Sequence, residues 1–234
     1  VNWALETHAH ADHITSAGLL AEHLGLKTAA PEACHIGTAS VQLVDGQLIP
    51  FGAFALKALH TPGHTAGSMS FYVAANEGGH VFTGDTLLID GCGRTDFQSG
   101  SAKDMFNSLT NILFKLPAST TVWPGHDYQG RTHSSIGHEM QHNQRVAGKS
   151  LAQFEAIMLN LNLPNVAHRP SEVDLAGAKL IFICAMRANL RHKYLFSHSH
   201  STSGRRNYRF KFLFCRGIFG NRSLLALGWF ITAD

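Results

Sequence analysis

Apolar positions along this chain recur at two spacings, and the switches between them mark its elements. Val1-Asn2-Trp3-Ala4-Leu5 reads as the end of a strand running into a histidine-rich loop. Leu19, Leu20 and Leu24 then recur at helical spacing, and Thr15 or Ser16 offers a cap, so a helix is predicted over roughly 16–24. Strand-like stretches follow near 47–50, 53–60, 68–74 and 80–84. In the second of these, Phe54, Leu56 and Ala58 alternate imperfectly with Ala55, Lys57 and Leu59. Asn76-Glu77-Gly78-Gly79 lies between two strand candidates and reads as a hairpin turn.

A longer helical pattern starts at Ser101, with Asp104 placed as in a capping box. Met105, Leu109, Ile112, Leu113 and Leu116 supply its apolar face, and Pro117 ends it. Thr120–Trp123 reads as a further short strand. Ser150 with Gln153 opens another helix, whose stripe is Phe154, Ile157, Met158 and Leu161 and which Pro164 closes. The body is therefore mixed α and β, with strands in meander order and helices between sets of strands. No internal repeat is present.

Charge divides the chain. Residues 1–175 hold 9 Lys+Arg against 15 Asp+Glu, whereas residues 176–234 hold 10 against 1. The first part is expected to be the catalytic domain, and 176–234 an atypical basic extension with little order. A basic tail can meet nucleic acid, but this one lacks the interleaved stacking residues of a known module, so no nucleic-acid partner is expected. No apolar run is long enough to span a bilayer, and no membrane role is expected. Four cysteines without a C-x-x-C pair do not make a disulfide framework, which favours a reducing compartment. Because Val1 opens almost directly onto the histidine motif, an N-terminal part of the domain is expected to be missing.

Sixteen histidines raise the prior for a metal site, and their placement sharpens it. Thr7-His8-Ala9-His10-Ala11-Asp12-His13 sets two histidines two apart on an extended loop, with an aspartate and a third histidine next to them. His64 in Thr61-Pro62-Gly63-His64, Asp85 in Phe82-Thr83-Gly84-Asp85 and His126 in Trp123-Pro124-Gly125-His126 each follow a strand candidate. Strand ends are where loops gather into sites. Glycine precedes His64, Asp85 and His126, permitting backbone approaches that a side chain would hinder. One such histidine alone would be unremarkable; the ordered set points to one metal or two.

The ordered motifs H-x-H-x-D-H, G-H, G-D and G-H resemble the metallo-β-lactamase superfamily. Gly84–Gly100, with Gly91-Cys92-Gly93-Arg94-Thr95-Asp96-Phe97 at its centre, resembles the persulfide dioxygenases within it, as do Glu6–Thr15 and Asn160–Pro164. The resemblance covers about residues 1–166. It implies an αββα sandwich and one Fe(II) per chain held by His8, His64 and Asp85, a two-histidine-one-carboxylate set with open positions. It also implies oxidation of glutathione persulfide by O2 to sulfite and glutathione, in sulfide catabolism. His10, Asp12, His13 and His126 would orient ligands or handle protons, and Arg94 and Tyr128 would contact the glutathione moiety. For Arg94 the competing reading is an ion pair with Asp96; Cys92 reads as a packed small residue rather than a nucleophile. The resemblance places the protein in the mitochondrial matrix, or in the cytoplasm of a bacterium, and leaves a homodimer open.

Two readings compete. In a dizinc thioester hydrolase of the glyoxalase II type, acting on hydroxyacylglutathione, His8, His10 and His64 would hold one zinc. Asp12, His13 and His126 would hold the other, with Asp85 bridging. The alternative is an inactive truncated metal-binding remnant, with the sheet that contains the first strand short of partners.

Overall fold

A computed structural model describes residues 3–9, 17–76, 78–96, 99–161, 180–187, 208–215 and 223–233, the last three stretches as backbone strands. The elements in chain order begin with β1 (Trp3–Glu6), α1 (Ala17–Leu24), β2 (Lys27–Pro31), β3 (Val41–Leu43), β4 (Leu48–Phe51) and β5 (Phe54–His60). Next come β6 (Met69–Val73), β7 (His80–Gly84), β8 (Leu87–Leu88), β9 (Gly91–Cys92), α2 (Ala102–Asn107), β10 (Thr121–Pro124) and β11 (Ser134–Ser135). Then follow α3 (Ile136–His142), α4 (Leu151–Leu159), β12 (Leu180–Arg187), β13 (Tyr208–Cys215) and β14 (Ser223–Ala233).

The strands form two six-stranded sheets, β13-β14-β12-β1-β2-β3 and β11-β10-β7-β6-β5-β4, beside a small β8-β9 ribbon. Strand alternation assigns the layers. Leu5 of β1, Ala29 of β2 and Leu43 of β3 pack against Leu56, Ala58, Phe71, Phe82 and Trp123 of the second sheet, filling the space between the sheets. The neighbouring positions Val81 and Val122 face the other way, onto Met105, Leu109, Leu113, Ile136, Phe154 and Met158 from the helical side. On the outer face of the first sheet, Ala4 meets Ala17 and Leu26. The order is thus helix, sheet, sheet, helices: the αββα sandwich expected.

The helix expected from Ser101 starts as predicted, with the Ser101 side chain accepting from the Asp104 amide. It does not continue as one regular α-helix. A wide π-type turn spans Ser108–Ile112 and a 3₁₀ turn spans Leu113–Lys115. There the Ser108 hydroxyl donates to the Pro62 carbonyl at 2.7 Å, tying the turn to the loop that carries His64. The Ser150–Gln153 pair forms a complete capping box on α4. α1 matches its predicted span, but Leu24 is 57% exposed instead of facing the core. β1 is flanked on both sides, parallel by β2 and antiparallel by β12. The boundary expected near residue 175 and the caps expected at Thr15 or Ser16 lie outside the described residues.

Candidate metal centre

The topology gathers strand ends at one edge. β7 and β10 are parallel, and β5 is antiparallel to β6, which is antiparallel to β7; hence β5, β7 and β10 end on the same side. His64 follows β5, Asp85 follows β7 and His126 follows β10. His8 follows β1 in the opposite sheet. The two sheets are tied at this corner by the Met69 amide, which donates to the Thr7 carbonyl at 2.8 Å.

The donor atoms of His8, His64 and Asp85 all lie within 4.8 Å of one another. His64 Nε2 is 3.8 Å from Asp85 Oδ2, and the His8 and His64 rings meet edge to face with centroids 5.0 Å apart. A single cation with metal–ligand distances of about 2.0–2.2 Å would draw these donors inward, to about 3 Å from one another. Hydrogen bonds orient the set. His64 Nδ1 donates to the Arg94 carbonyl at 2.8 Å, which turns Nε2 toward Asp85. His8 Nδ1 lies 2.9 Å from the Thr7 hydroxyl. His126 Nδ1 donates to Asp85 Oδ1 at 2.6 Å, leaving Oδ2 on the His64 side. Burial pushes the Asp85 carboxyl up, but the His126 hydrogen bond and the charges of His126, His8 and His64 outweigh it and hold the group well below the ordinary carboxylate range. It is therefore an anion poised for a cation.

The glycines of the motifs are required by space. A Cβ on Gly63 would stand 2.4 Å from Met105 Cα, and one on Gly84 would stand 2.6 Å from Thr7 Oγ1; both residues also have positive φ. These contacts let the loop carrying His64 close upon α2 and the loop carrying Asp85 close upon the Thr7 corner.

Of the other expected site residues, His10, Asp12 and His13 lie outside the described residues. Tyr128 stands at the rim, 88% exposed, with its ring stacked on His126 at 5.9 Å and 10°. The Arg94 side chain forms a forked pair with Asp96, Nε to Oδ1 at 2.7 Å and Nη2 to Oδ2 at 2.8 Å, as the competing reading of that residue expected. Cys92 is buried against Met158, with sulfurs 3.8 Å apart, and burial pushes its thiol up to about 11 despite the Arg145 guanidinium beside it. It is a packed thiol, not an activated one. Sequence reasoning missed Thr7 as the partner of His8. It also missed Arg145, which donates to the Cys92 carbonyl, and Glu139, which accepts from the Asp90 amide.

The metallo-β-lactamase superfamily model matches residues 1–126. The chain belongs to that superfamily. The human mitochondrial persulfide dioxygenase ETHE1 is 42% identical over 174 residues, which is 74% of this chain and 66% of the human protein. The crystal structure of ETHE1 from Myxococcus xanthus superposes with a TM-score of 0.66 at 43% identity, covering 75% of this chain and 77% of that one. Within the superfamily the chain therefore groups with the persulfide dioxygenases. A probable hydroxyacylglutathione hydrolase of Schizosaccharomyces pombe is 38% identical over 148 residues, covering 61% of this chain and 54% of that protein.

Proposed function

We propose that this protein is an Fe(II)-dependent persulfide dioxygenase that converts glutathione persulfide, O2 and water to glutathione and sulfite. The overall change balances: the persulfide bond breaks, the inner sulfur leaves as the thiol, the outer sulfur gains three oxygens, and dioxygen accepts four electrons. The observation that carries the reading is the three-donor cluster of His8, His64 and Asp85, with His126 engaged on the carboxylate instead of in the cluster. Two histidines and a carboxylate are the donor set that suits ferrous iron while leaving positions open. Iron(II) held there would supply the electrons and the open coordination that dioxygen activation needs.

The chain's own residues do the positioning. The Arg94 carbonyl fixes the His64 tautomer, and His126 selects which Asp85 oxygen faces the ion. His10, Asp12 and His13 are assigned to proton handling or ligand orientation. Tyr128, exposed at the rim, and Arg94 are assigned to the glutathione moiety. For Arg94 this requires a substrate carboxylate to compete with the exposed Asp96 for the same guanidinium fork. Its mitochondrial relatives support a mitochondrial setting, and the matrix is the compartment proposed.

One observation bears on the dizinc hydrolase reading. There Asp85 would bridge two ions and His126 would bind the second, yet here Asp85 Oδ1 and His126 Nδ1 are spent on each other at 2.6 Å. The test is metal analysis with paired assays. About one iron per chain with oxygen uptake on glutathione persulfide is expected. Two zincs with hydrolysis of S-lactoylglutathione would overturn the proposal in favour of the hydrolase. A broad melting transition unmoved by Fe(II) would favour a remnant.

A further inference from the structure

Among the described residues, a second set of metal-type donors lies together behind the site: Asp90, His138 and Glu139, within 4.8 Å of one another. Their lone pairs are already committed. Glu139 Oε1 accepts from the Ser134 hydroxyl at 2.5 Å, and Oε2 accepts from the Asp90 amide at 3.0 Å and from Asn143 Nδ2 at 2.8 Å. Asp90 Oδ1 accepts from His138 Nε2 at 2.7 Å, and Oδ2 from Arg131 Nη1 at 2.5 Å. A guanidinium already occupies the place a second cation would take. The cluster is therefore not read as a metal site.

Its connections run elsewhere. Glu139 has no solvent exposure, and a buried carboxylate is retained only where its partners compensate the burial. Those partners converge on the loop after Asp85. Glu139 holds the Asp90 amide while Asp90 sits at a φ of 57°, a left-handed conformation that a non-glycine residue keeps only when its surroundings enforce it. Asn143, itself fully buried, donates from the same Nδ2 to the Gly91 carbonyl at 2.9 Å. Gly91–Cys92 then pairs with Leu87–Leu88. Two residues on, the Gly93 amide donates to the Asp85 carbonyl at 2.9 Å, and the Arg94 carbonyl accepts from His64 Nδ1. A Cβ on Gly93 would lie 2.2 Å from the Asp85 carbonyl oxygen and 3.0 Å from His64 Nδ1, so this loop is seated against both ligands.

We propose that Glu139, with Asn143, is a positioning residue of the metal centre: from α3 it fixes the 90–94 backbone, and that backbone sets the orientation of His64 and the placement of Asp85. The inference rests on the three-donor metal site of the proposed function, not on the substrate or on dioxygen.

The test therefore uses Co(II) as a probe and needs no turnover. The full chain would be titrated with Co(II), reading affinity and the visible ligand-field spectrum, with circular dichroism to confirm folding. Glu139→Ala is expected to weaken Co(II) binding by about 10- to 100-fold and to shift the spectrum, because outer groups that orient ligands carry effects of that size. Glu139→Gln is expected to restore binding to within a few-fold, since its amide oxygen can accept from Asp90 while its NH2 donates to a rotated Ser134 hydroxyl. If Glu139→Ala does not fold, Asn143→Ala takes its place with the same expected direction. A folded alanine variant with wild-type affinity and spectrum would overturn the proposal, as would Glu139→Gln binding no better than Glu139→Ala. Failure of both alanine variants to fold would also overturn it, in favour of a purely structural role. Wild-type chain that binds Co(II) but, when loaded with Fe(II), does not oxidise glutathione persulfide would sink the substrate reading and leave this inference standing.

Discussion

Gly125→Ala tests how closely the site is built. A Cβ at position 125 would stand 2.2 Å from Asp85 Oδ1 and 2.7 Å from both the carbonyl carbon and oxygen of Gly84. Comfortable contact needs about 3.5 Å, so Asp85 Oδ1 must give way by about 1.3 Å and the Gly84 backbone by about 0.8 Å. None can yield cheaply. Asp85 Oδ1 is the acceptor of the 2.6 Å bond from His126, so swinging the carboxylate breaks that bond. Gly84 is backbone, bonded through its carbonyl to the Gly125 amide at 2.5 Å and closed against Thr7 on its other side. Overpacking of this kind costs about 1–3 kcal/mol of stability. Misorienting a ligand and its hydrogen-bonding partner should weaken metal binding by about 10- to 100-fold, or about 1.4–2.8 kcal/mol. The assay is an Fe(II) or Co(II) titration beside a thermal melt. The control is Gly18→Ala, on α1, where an added Cβ meets nothing within 4 Å. It should leave metal affinity unchanged and melt no lower than wild type, because alanine is the better helix former by about 1 kcal/mol. If Gly125→Ala binds metal within twofold of wild type and melts at the same temperature, the close packing of these two loops is refuted.

Asp85→Ala should abolish metal-dependent turnover under either the one-iron or the two-zinc reading, and a variant retaining it would remove Asp85 from the ligand set. His126→Ala should lower iron content without eliminating it, as an orienting partner would; complete loss of iron would make His126 a ligand. Chelation should lower the melting temperature, since metal bound only to the folded state stabilises it by about 2.7 kcal/mol at a hundredfold excess over Kd, so an apo protein that melts like the holo protein contradicts the site. For Asp90, the His138 hydrogen bond is the main cause that lowers its pKa, burial opposes it, and Arg131 adds to the lowering. A depressed carboxyl stabilises the fold above its unfolded-state pKa and loses that contribution as pH falls through the folded value. Wild type should therefore lose more stability than Asp90→Asn between about pH 6 and pH 3, and parallel losses would count against the pairing.

The elements legible in the sequence are those whose apolar pattern is also their packing pattern. Leu56 and Ala58 alternate with the exposed Lys57 because β5 buries one face between the sheets. Met105, Leu109 and Leu113 recur because they face the second sheet, even though the helix widens at Ser108 in a way spacing does not reveal. β2 was invisible because Lys-Thr-Ala-Ala-Pro buries small residues on both faces and shows neither alternation nor bulk. α3 was invisible because its IGHEMQH sequence turns only Ile136 and Glu139 inward, and a buried glutamate reads as surface. The candidate donors were legible because His8, His64 and Asp85 are side chains of the metal-ligating kind set at strand ends. The groups that orient them were not. The Arg94 carbonyl acts through its backbone, which no residue type announces, and Glu139 reaches residue 90 only because α3 folds back over that loop.

The placement of the donors has a consequence for how the fold and the site depend on each other. His8 comes from the first sheet, whereas His64, Asp85 and His126 come from the second. Neither sheet alone holds the three-donor set, so the site exists only where the two are docked. The docking at that corner includes the Met69 amide on the Thr7 carbonyl, Gly84 against the Thr7 side chain, and the His8 ring on the edge of His64. Of these five residues, all but Met69 are donors of the set or adjoin one. A cation there would cross-link the sheets as well as complete the site, and it would do so beside an anionic carboxylate whose charge is met, among the described residues, by the imidazoles of His126, His8 and His64. The wedge glycines and the loop anchored by Glu139 then share one task. They bring a ligand from one layer and ligands from the other to within 4.8 Å of one another, a short closure away from the roughly 3 Å spacing that a single ion imposes on its donors.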